Sequence, residues 1–156
     1  DNGGVEMKWE ECDLYRIAEN AVDSLEVAAT ALGVKVTVSG SNAPIRAIPQ
    51  LIYSIVYNLC DNGIKYNHSG GKVEVDVQQT PYNTVLRVKD TGIGIPDESK
   101  ERIYERFYRV DKSRSRAKGG TGLGLSIVKH IADRHGAQID VESTMGVGTT
   151  ISVNFR

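Results

Sequence analysis

The sequence predicts an α/β fold, a two-layer sandwich in which a mixed sheet is covered on one face by helices. Two patterns carry that prediction. Valine and isoleucine alternate with polar residues in short segments spread along the chain, and longer segments repeat their apolar residues at helical spacing. No internal repeat or low-complexity tract interrupts the 156 residues, so one domain is expected, long enough to bury its own core.

Taken in order, Leu14, Ile17, Ala21, Val22, Leu25 and Ala28 share one helical face, with Asp13 as N-cap and Gly33 as stop signal. Val34, Val36 and Val38 alternate as a strand does, and Ser39 to Pro44 is turn material. A second helix is expected from Pro49, suited to a first helical turn, to about Asn67. Val73, Val75 and Val77 form the next strand, and Val85 to Val88 continues the sheet beyond the turn at Pro81-Tyr82-Asn83. A short helix is predicted across Glu98 to Tyr104. Another carries Leu125, Val128, Ile131 and Ala132 on one face and ends at Gly136. Two closing strands hold Ile139 and Val141, then Ile151, Val153 and Phe155.

Bulk properties exclude several function classes. A net charge of −1 gives no reason to expect nucleic acid or an anionic membrane as partner. No stretch approaches the roughly 18 apolar residues of a membrane span, and no signal-peptide pattern opens the chain. Cys12 and Cys60 are too few for a disulfide framework or a metal site and read as reduced thiols of a cytosolic protein. His68, His130 and His135 have no ligand-like spacing and read as structural or surface residues. Asp1-Asn2-Gly3-Gly4 looks like the cut end of a linker. Residues 1–12 are accordingly expected to end an interdomain linker, and residues 13–156 to form the domain.

Three segments carry chemistry. On the second helix Asn58, Asn62 and Lys65 fall within about 60° of one another, at the shoulder of the face that carries Ile52, Ile55, Val56 and Leu59. An amide oxygen suits magnesium, Lys65 suits phosphate oxygens, and the Tyr66 ring can lie against a flat base. Alone, the stripe is equally an ordinary solvated helix face. Asp90 closes a strand and opens the loop Asp90-Thr91-Gly92-Ile93-Gly94-Ile95. A buried carboxylate there accepts from an adenine amino group and mismatches the guanine carbonyl, while a capped glycine turn is the plain alternative. Gly119-Gly120-Thr121-Gly122-Leu123-Gly124-Leu125-Ser126 opens a helix, and glycines so dense suit a phosphate cradle better than a linker. Between the loops Glu105-Arg106-Phe107-Tyr108-Arg109 supplies apolar anchors for a polar, cationic lid, from which Arg114, Arg116 or Lys118 could reach a γ-phosphate.

These residues, in this order, resemble the catalytic ATP-binding domain of bacterial sensor histidine kinases, of the Bergerat-fold superfamily that includes gyrase B, Hsp90 and MutL. The N box matches Asn58 to Tyr66, the first glycine box Asp90 to Ile95, and the F box Glu105 to Arg109. The second glycine box matches Gly119 to Ser126, and Gly146-Val147-Gly148-Thr149 fits the closing motif. The likeness runs from about Leu14 to Phe155. It implies a Bergerat fold with ATP and magnesium as ligands: Asn62 holds the metal, Asn58 shapes the phosphate end, and Lys65 contacts phosphate. Tyr66 packs on the base, and Asp90 bonds the adenine amino group with Gly92, Gly94 and Ile95 beside the ring. Phe107, Gly120, Thr121, Gly122, Leu123 and Gly124 close the pocket, and Asn58, Lys65 and Arg114 are assigned to the transfer itself. The family pattern has alanine where Gly63 stands, and a mid-helix glycine costs roughly 1 kcal/mol.

The resemblance implies partners as well. Hydrolysing relatives place a glutamate four residues before the metal-binding Asn. Here that residue is Asn58, an amide unable to act as general base, so slow hydrolysis is expected. No His in the chain has the setting of a phosphoacceptor. The implied partners are a dimerisation and histidine-phosphotransfer domain of the same protein and a response regulator receiver domain. The resemblance points to a monomeric cytoplasmic fragment of a homodimeric parent anchored in the membrane. A standalone ATPase or serine kinase of the same superfamily, and a non-catalytic nucleotide-sensing module, remain the alternatives.

Overall fold

The computed structural model describes residues 7–100, 102–104 and 124–156. Strand β1 (Glu10–Asp13) leads into helix α1 (Leu14–Ala31), then β2 (Lys35–Gly40), β3 (Pro44–Ala47) and helix α2 (Pro49–Lys65). Next come β4 (Lys72–Gln79), β5 (Thr84–Asp90), a 3-10 turn (Asp97–Ser99), helix α3 (Gly124–Arg134), β6 (Gln138–Thr144) and β7 (Gly148–Phe155).

The larger sheet has the order β2-β4-β5-β7-β6, with β2 parallel to β4 and the other neighbours antiparallel. Alternation along its strands has a direct physical cause. Val73, Val75, Val77, Leu86, Val88, Ile151, Val153 and Phe155 are buried beneath the helices, whereas Lys72, Glu74, Arg87, Lys89, Asp140 and Glu142 are exposed on the opposite face. From the helical layer, Leu14, Ile52, Ile55, Val56 and Ile64 meet that apolar face with their side chains fully buried. Burial of each such residue stabilises the fold by about 1.5–3 kcal/mol. The predicted two-layer sandwich is therefore the observed one.

Asp13 caps α1 as its position suggests: its Oδ1 accepts from the Tyr15 amide at 3.0 Å and also from Ala43 at 2.8 Å. The departures from expectation are local. Glu10–Asp13 and Pro44–Ala47 pair antiparallel as a separate two-stranded sheet that valine alternation could not reveal, and the turn expected over Ser39–Pro44 is narrowed by β2 and β3. Helix α2 stops at Lys65 rather than near Asn67. Across Glu98–Tyr104 the described residues make 3-10 bonds instead of an α-helix: Ser99 donates to Pro96, Lys100 to Asp97 and Arg102 to Ser99.

His135 proves to be a structural residue with a definite task. Its Nε2 accepts from the amide of Ile48, the N-cap of α2, at 3.1 Å. Its Nδ1 lies 2.8 Å from the Ile131 carbonyl, so the ring is the neutral Nδ1–H tautomer and donates there. Trp9 packs against the same ring at 4.7 Å between centroids. One imidazole thus ties the start of α2 to the end of α3.

Candidate functional site

Asp90 ends β5, the central strand of the larger sheet, with Val73 of β4 on one side and Thr149 of β7 on the other. Its Oδ1 accepts from the Gly92 amide at 2.8 Å and the Thr149 amide at 3.3 Å. Burial pushes the carboxyl pKa up, and these two amide bonds partly oppose the rise. Among the described residues both bonds fall on the same oxygen, which leaves Oδ2 as the acceptor for a ligand donor.

Helix α2 brings its polar stripe to this place. Gly63 lies directly over Asp90: a methyl group there would stand 3.3 Å from the Asp90 Cβ and 3.1 Å from Val73 Cγ2. The glycine therefore allows a close helix-to-strand approach, a benefit beyond the propensity cost read from sequence. Asn62, one residue earlier, is half-buried and its side chain has no hydrogen-bond partner among the described residues. Asn58 turns its Nδ2 back along the helix to Ser54, donating to the carbonyl at 2.7 Å and Oγ at 3.1 Å. Lys65 is paired with Asp61 at 3.1 Å, so contact with phosphate requires sharing or exchanging that carboxylate. Tyr66 caps the helix, and its carbonyl accepts from the Ile93 amide at 3.0 Å, which joins the stripe to the first glycine loop.

The β6–β7 turn supports that loop from the other side. Gly94 has φ of +81°, and a Cβ there would meet the Thr144 carbonyl oxygen at 2.5 Å, so only glycine fits without strain. The Gly146 amide donates to Ile93 at 3.0 Å, and the Ile95 amide to Ser143 Oγ at 2.7 Å. Ser143 Oγ lies 2.8 Å from the buried Thr149 Oγ1. Ser143 and Thr149 were not among the residues that motif reasoning selected as ligand-facing. The Gly-x-Gly-Thr run was visible in sequence, but its proximity to Asp90 depends on pairing between β5 and β7.

The structure thus sets Gly63, on the helix that carries Asn58, Asn62 and Lys65, against Asp90 and joins Tyr66 to the loop that holds Gly92, Gly94 and Ile95, and Gly124 opens α3. Phe107, Arg114, Gly120, Thr121, Gly122 and Leu123 lie outside the described residues. The donor set fits magnesium-ATP: an acceptor-only carboxylate for an amino group, amide oxygens for a hard cation, and a lysine for phosphate.

Comparison with known proteins agrees with this geometry. The model of the histidine kinase-, DNA gyrase B- and HSP90-like ATPases matches residues 47–156, and the chain belongs to that family. Within it, the relatives are sensor histidine kinases. The sensor-like histidine kinase SenX3 of Mycolicibacterium smegmatis is 38% identical over 147 residues, covering 92% of this chain and 38% of that protein. The sensor histidine kinase WalK of Bacillus subtilis is 45% identical over 103 residues, 65% of this chain and 17% of that protein. Among solved structures, the mycobacterial sensor histidine kinase MprB superposes with a TM-score of 0.82 at 25% identity, covering 95% of this chain and 97% of that one. Full-length ShkA in complex with AMPPNP shares the fold, with a TM-score of 0.82 at 22% identity over 98% of this chain and 32% of that one. The chain thus spans only 38% of SenX3 and 17% of WalK.

Proposed function

We propose that this domain binds magnesium-ATP and delivers the γ-phosphoryl group to a histidine on a dimerisation and histidine-phosphotransfer domain outside residues 1–156. That histidine then supplies an aspartate on a response regulator receiver domain. The observation that carries the reading is Asp90, a carboxylate with one oxygen held by two amides and the other, beneath Gly63 of the N-box helix, without a hydrogen-bond partner among the described residues. The AMPPNP complex of ShkA supports a nucleotide as the ligand.

In this reading Asp90 Oδ2 accepts from the adenine amino group, Tyr66 packs on the base, and Gly92, Gly94 and Ile95 line its edge. Asn62 holds magnesium, which when bound neutralises phosphate charge, and Asn58 orients the phosphate end. Lys65 exchanges Asp61 for phosphate oxygens. Transfer breaks the bond between the γ-phosphorus and its bridging oxygen, forms a phosphorus–nitrogen bond to the acceptor imidazole and leaves ADP. The domain contributes position and charge neutralisation. Asn58 offers no base to activate water, so the phosphoryl group is kept for the histidine. Residues 1–12 lead in from a linker whose last part, Glu10–Cys12, joins the fold as β1, and residues 13–156 are the catalytic domain. The parent is a homodimer anchored in the membrane with this domain on the cytoplasmic side. Among the described residues no helix is long and apolar enough to cross a membrane.

The test is phosphorylation of the full-length parent with γ-labelled ATP. Acid-labile, base-stable label on the parent, together with slow phosphate release by the isolated chain, is expected. Rapid phosphate release by the isolated chain would make it a standalone ATPase, and label recovered as phosphoserine would make it a serine kinase.

A further inference from the structure

Asn67 is a polar side chain only 2% exposed, and neither the N box nor the first glycine loop includes it. An unpaired amide at such depth is costly, so its bonds indicate its use. Its Oδ1 accepts from the His68 amide at 2.9 Å and from Thr91 Oγ1 at 3.2 Å, and its Nδ2 donates to the Lys72 carbonyl at 3.1 Å. Thr91 Oγ1 in turn accepts from the Lys72 amide at 2.9 Å, and the Thr91 amide donates to the Lys72 carbonyl at 3.1 Å. The single proton of the Thr91 hydroxyl has two acceptors in reach, Asn67 Oδ1 at 3.2 Å and the Lys72 carbonyl at 3.4 Å, and the nearer is Asn67. Room for the amide is made by Gly71, where any Cβ would collide with Asn67 Oδ1.

Thr91 stands between Asp90 and Gly92, the carboxylate and the amide that clamps it. Asn67 directly follows Tyr66. The Asn67–Thr91 bond therefore spans the two residues that recognise the base in the reading above. The β4–β5 ladder ends at the pair Val73–Asp90, and on the β4 side the first loop residue beyond it, Thr91, is tied to Lys72 and Asn67.

We propose that Asn67 is a positioning residue for base recognition, acting through Thr91 to hold the Asp90 carboxylate in register with the Tyr66 ring. This rests on the nucleotide reading and specifies it: an adenine base is selected by a carboxylate whose aim is set from the end of α2.

The test is calorimetric titration of the chain with magnesium-ATP and magnesium-GTP well below its melting temperature. The proteins are wild type, Asn67→Ala, Thr91→Val, their double variant and Thr91→Ser. Asn67→Ala and Thr91→Val should each weaken ATP binding by about tenfold, the double variant by no more than the worse single, and both should reduce the ATP-to-GTP preference. Thr91→Ser, which retains the hydroxyl, should bind as wild type. Single variants that bind ATP within twofold of wild type and only melt lower would show a purely structural role and overturn the inference. Wild type that binds no ATP would instead overturn the nucleotide reading itself. Should Asn67→Ala not fold, the Thr91→Val and Thr91→Ser pair decides the matter.

Discussion

Replacing Asp90 by asparagine tests the site at the atom proposed to select the base. The new side chain keeps a carbonyl oxygen for the amides of Gly92 and Thr149, now at 2.8 Å and 3.3 Å, so the loop should hold its shape. At the second position an acceptor oxygen becomes an NH₂ donor that faces the adenine amino group. Loss of a charge-assisted hydrogen bond costs about 1.5–3 kcal/mol, and two opposed, unsatisfied donors cost about 1–3 kcal/mol more. At roughly 1.4 kcal/mol per decade, ATP affinity should fall by at least about sixtyfold. The same NH₂ can donate to the guanine carbonyl, so the residual preference should move toward GTP. Stability should behave oppositely. Burial raises the Asp90 pKa above its ordinary value of 3.8, so protonation favours folding. That contribution is complete below 3.8 and is lost as pH rises through the raised folded value. At neutral pH the carboxylate therefore burdens the empty fold, and Asp90→Asn should melt no lower than wild type. Calorimetry for affinity and thermal melts without nucleotide, both at neutral pH, measure the two effects. An ATP affinity within fivefold of wild type in a folded variant would refute the reasoning.

Other perturbations follow from the same geometry. Gly94→Ala must adopt φ near +81° with its Cβ against the Thr144 carbonyl, and should destabilise by at least about 1–2 kcal/mol in denaturant unfolding. His135→Phe keeps a ring for Trp9 but leaves the Ile48 amide without its acceptor; a loss of about 1–3 kcal/mol is expected by the same assay. The Cys60 thiol is pushed up to about 12, chiefly by burial, so a thiol reagent at pH 8 should modify it only as fast as the chain opens, and raising denaturant should accelerate the reaction.

The fold was legible wherever one face of an element is buried and the other wet. Val73, Val75 and Val77 announce β4 because the helices cover one side of the sheet only, and the apolar stripe of α2 marks its buried face for the same reason. β1 and β3 escaped because each is four residues long and pairs only with the other, so no alternation develops. The site divides similarly. Asp90 and the N-box stripe could be read because they repeat or sit beside glycines. Thr149, Ser143 and Asn67 are isolated polar residues whose importance arises from strands and turns brought together by folding. Lys65 was recognised as a cation, but its pairing with Asp61, one turn back, partly compensates the charge proposed to meet phosphate.

Trp9 is the sole tryptophan of the chain, and it rests on the imidazole of His135. That contact equips the protein with an unlabelled optical gauge. The indole is partly exposed and lies against one imidazole, and that imidazole also bridges the start of α2 and the end of α3. A change in fluorescence therefore reports whether the segment ahead of β1 is seated on the helical layer, with no label placed at the proposed nucleotide site.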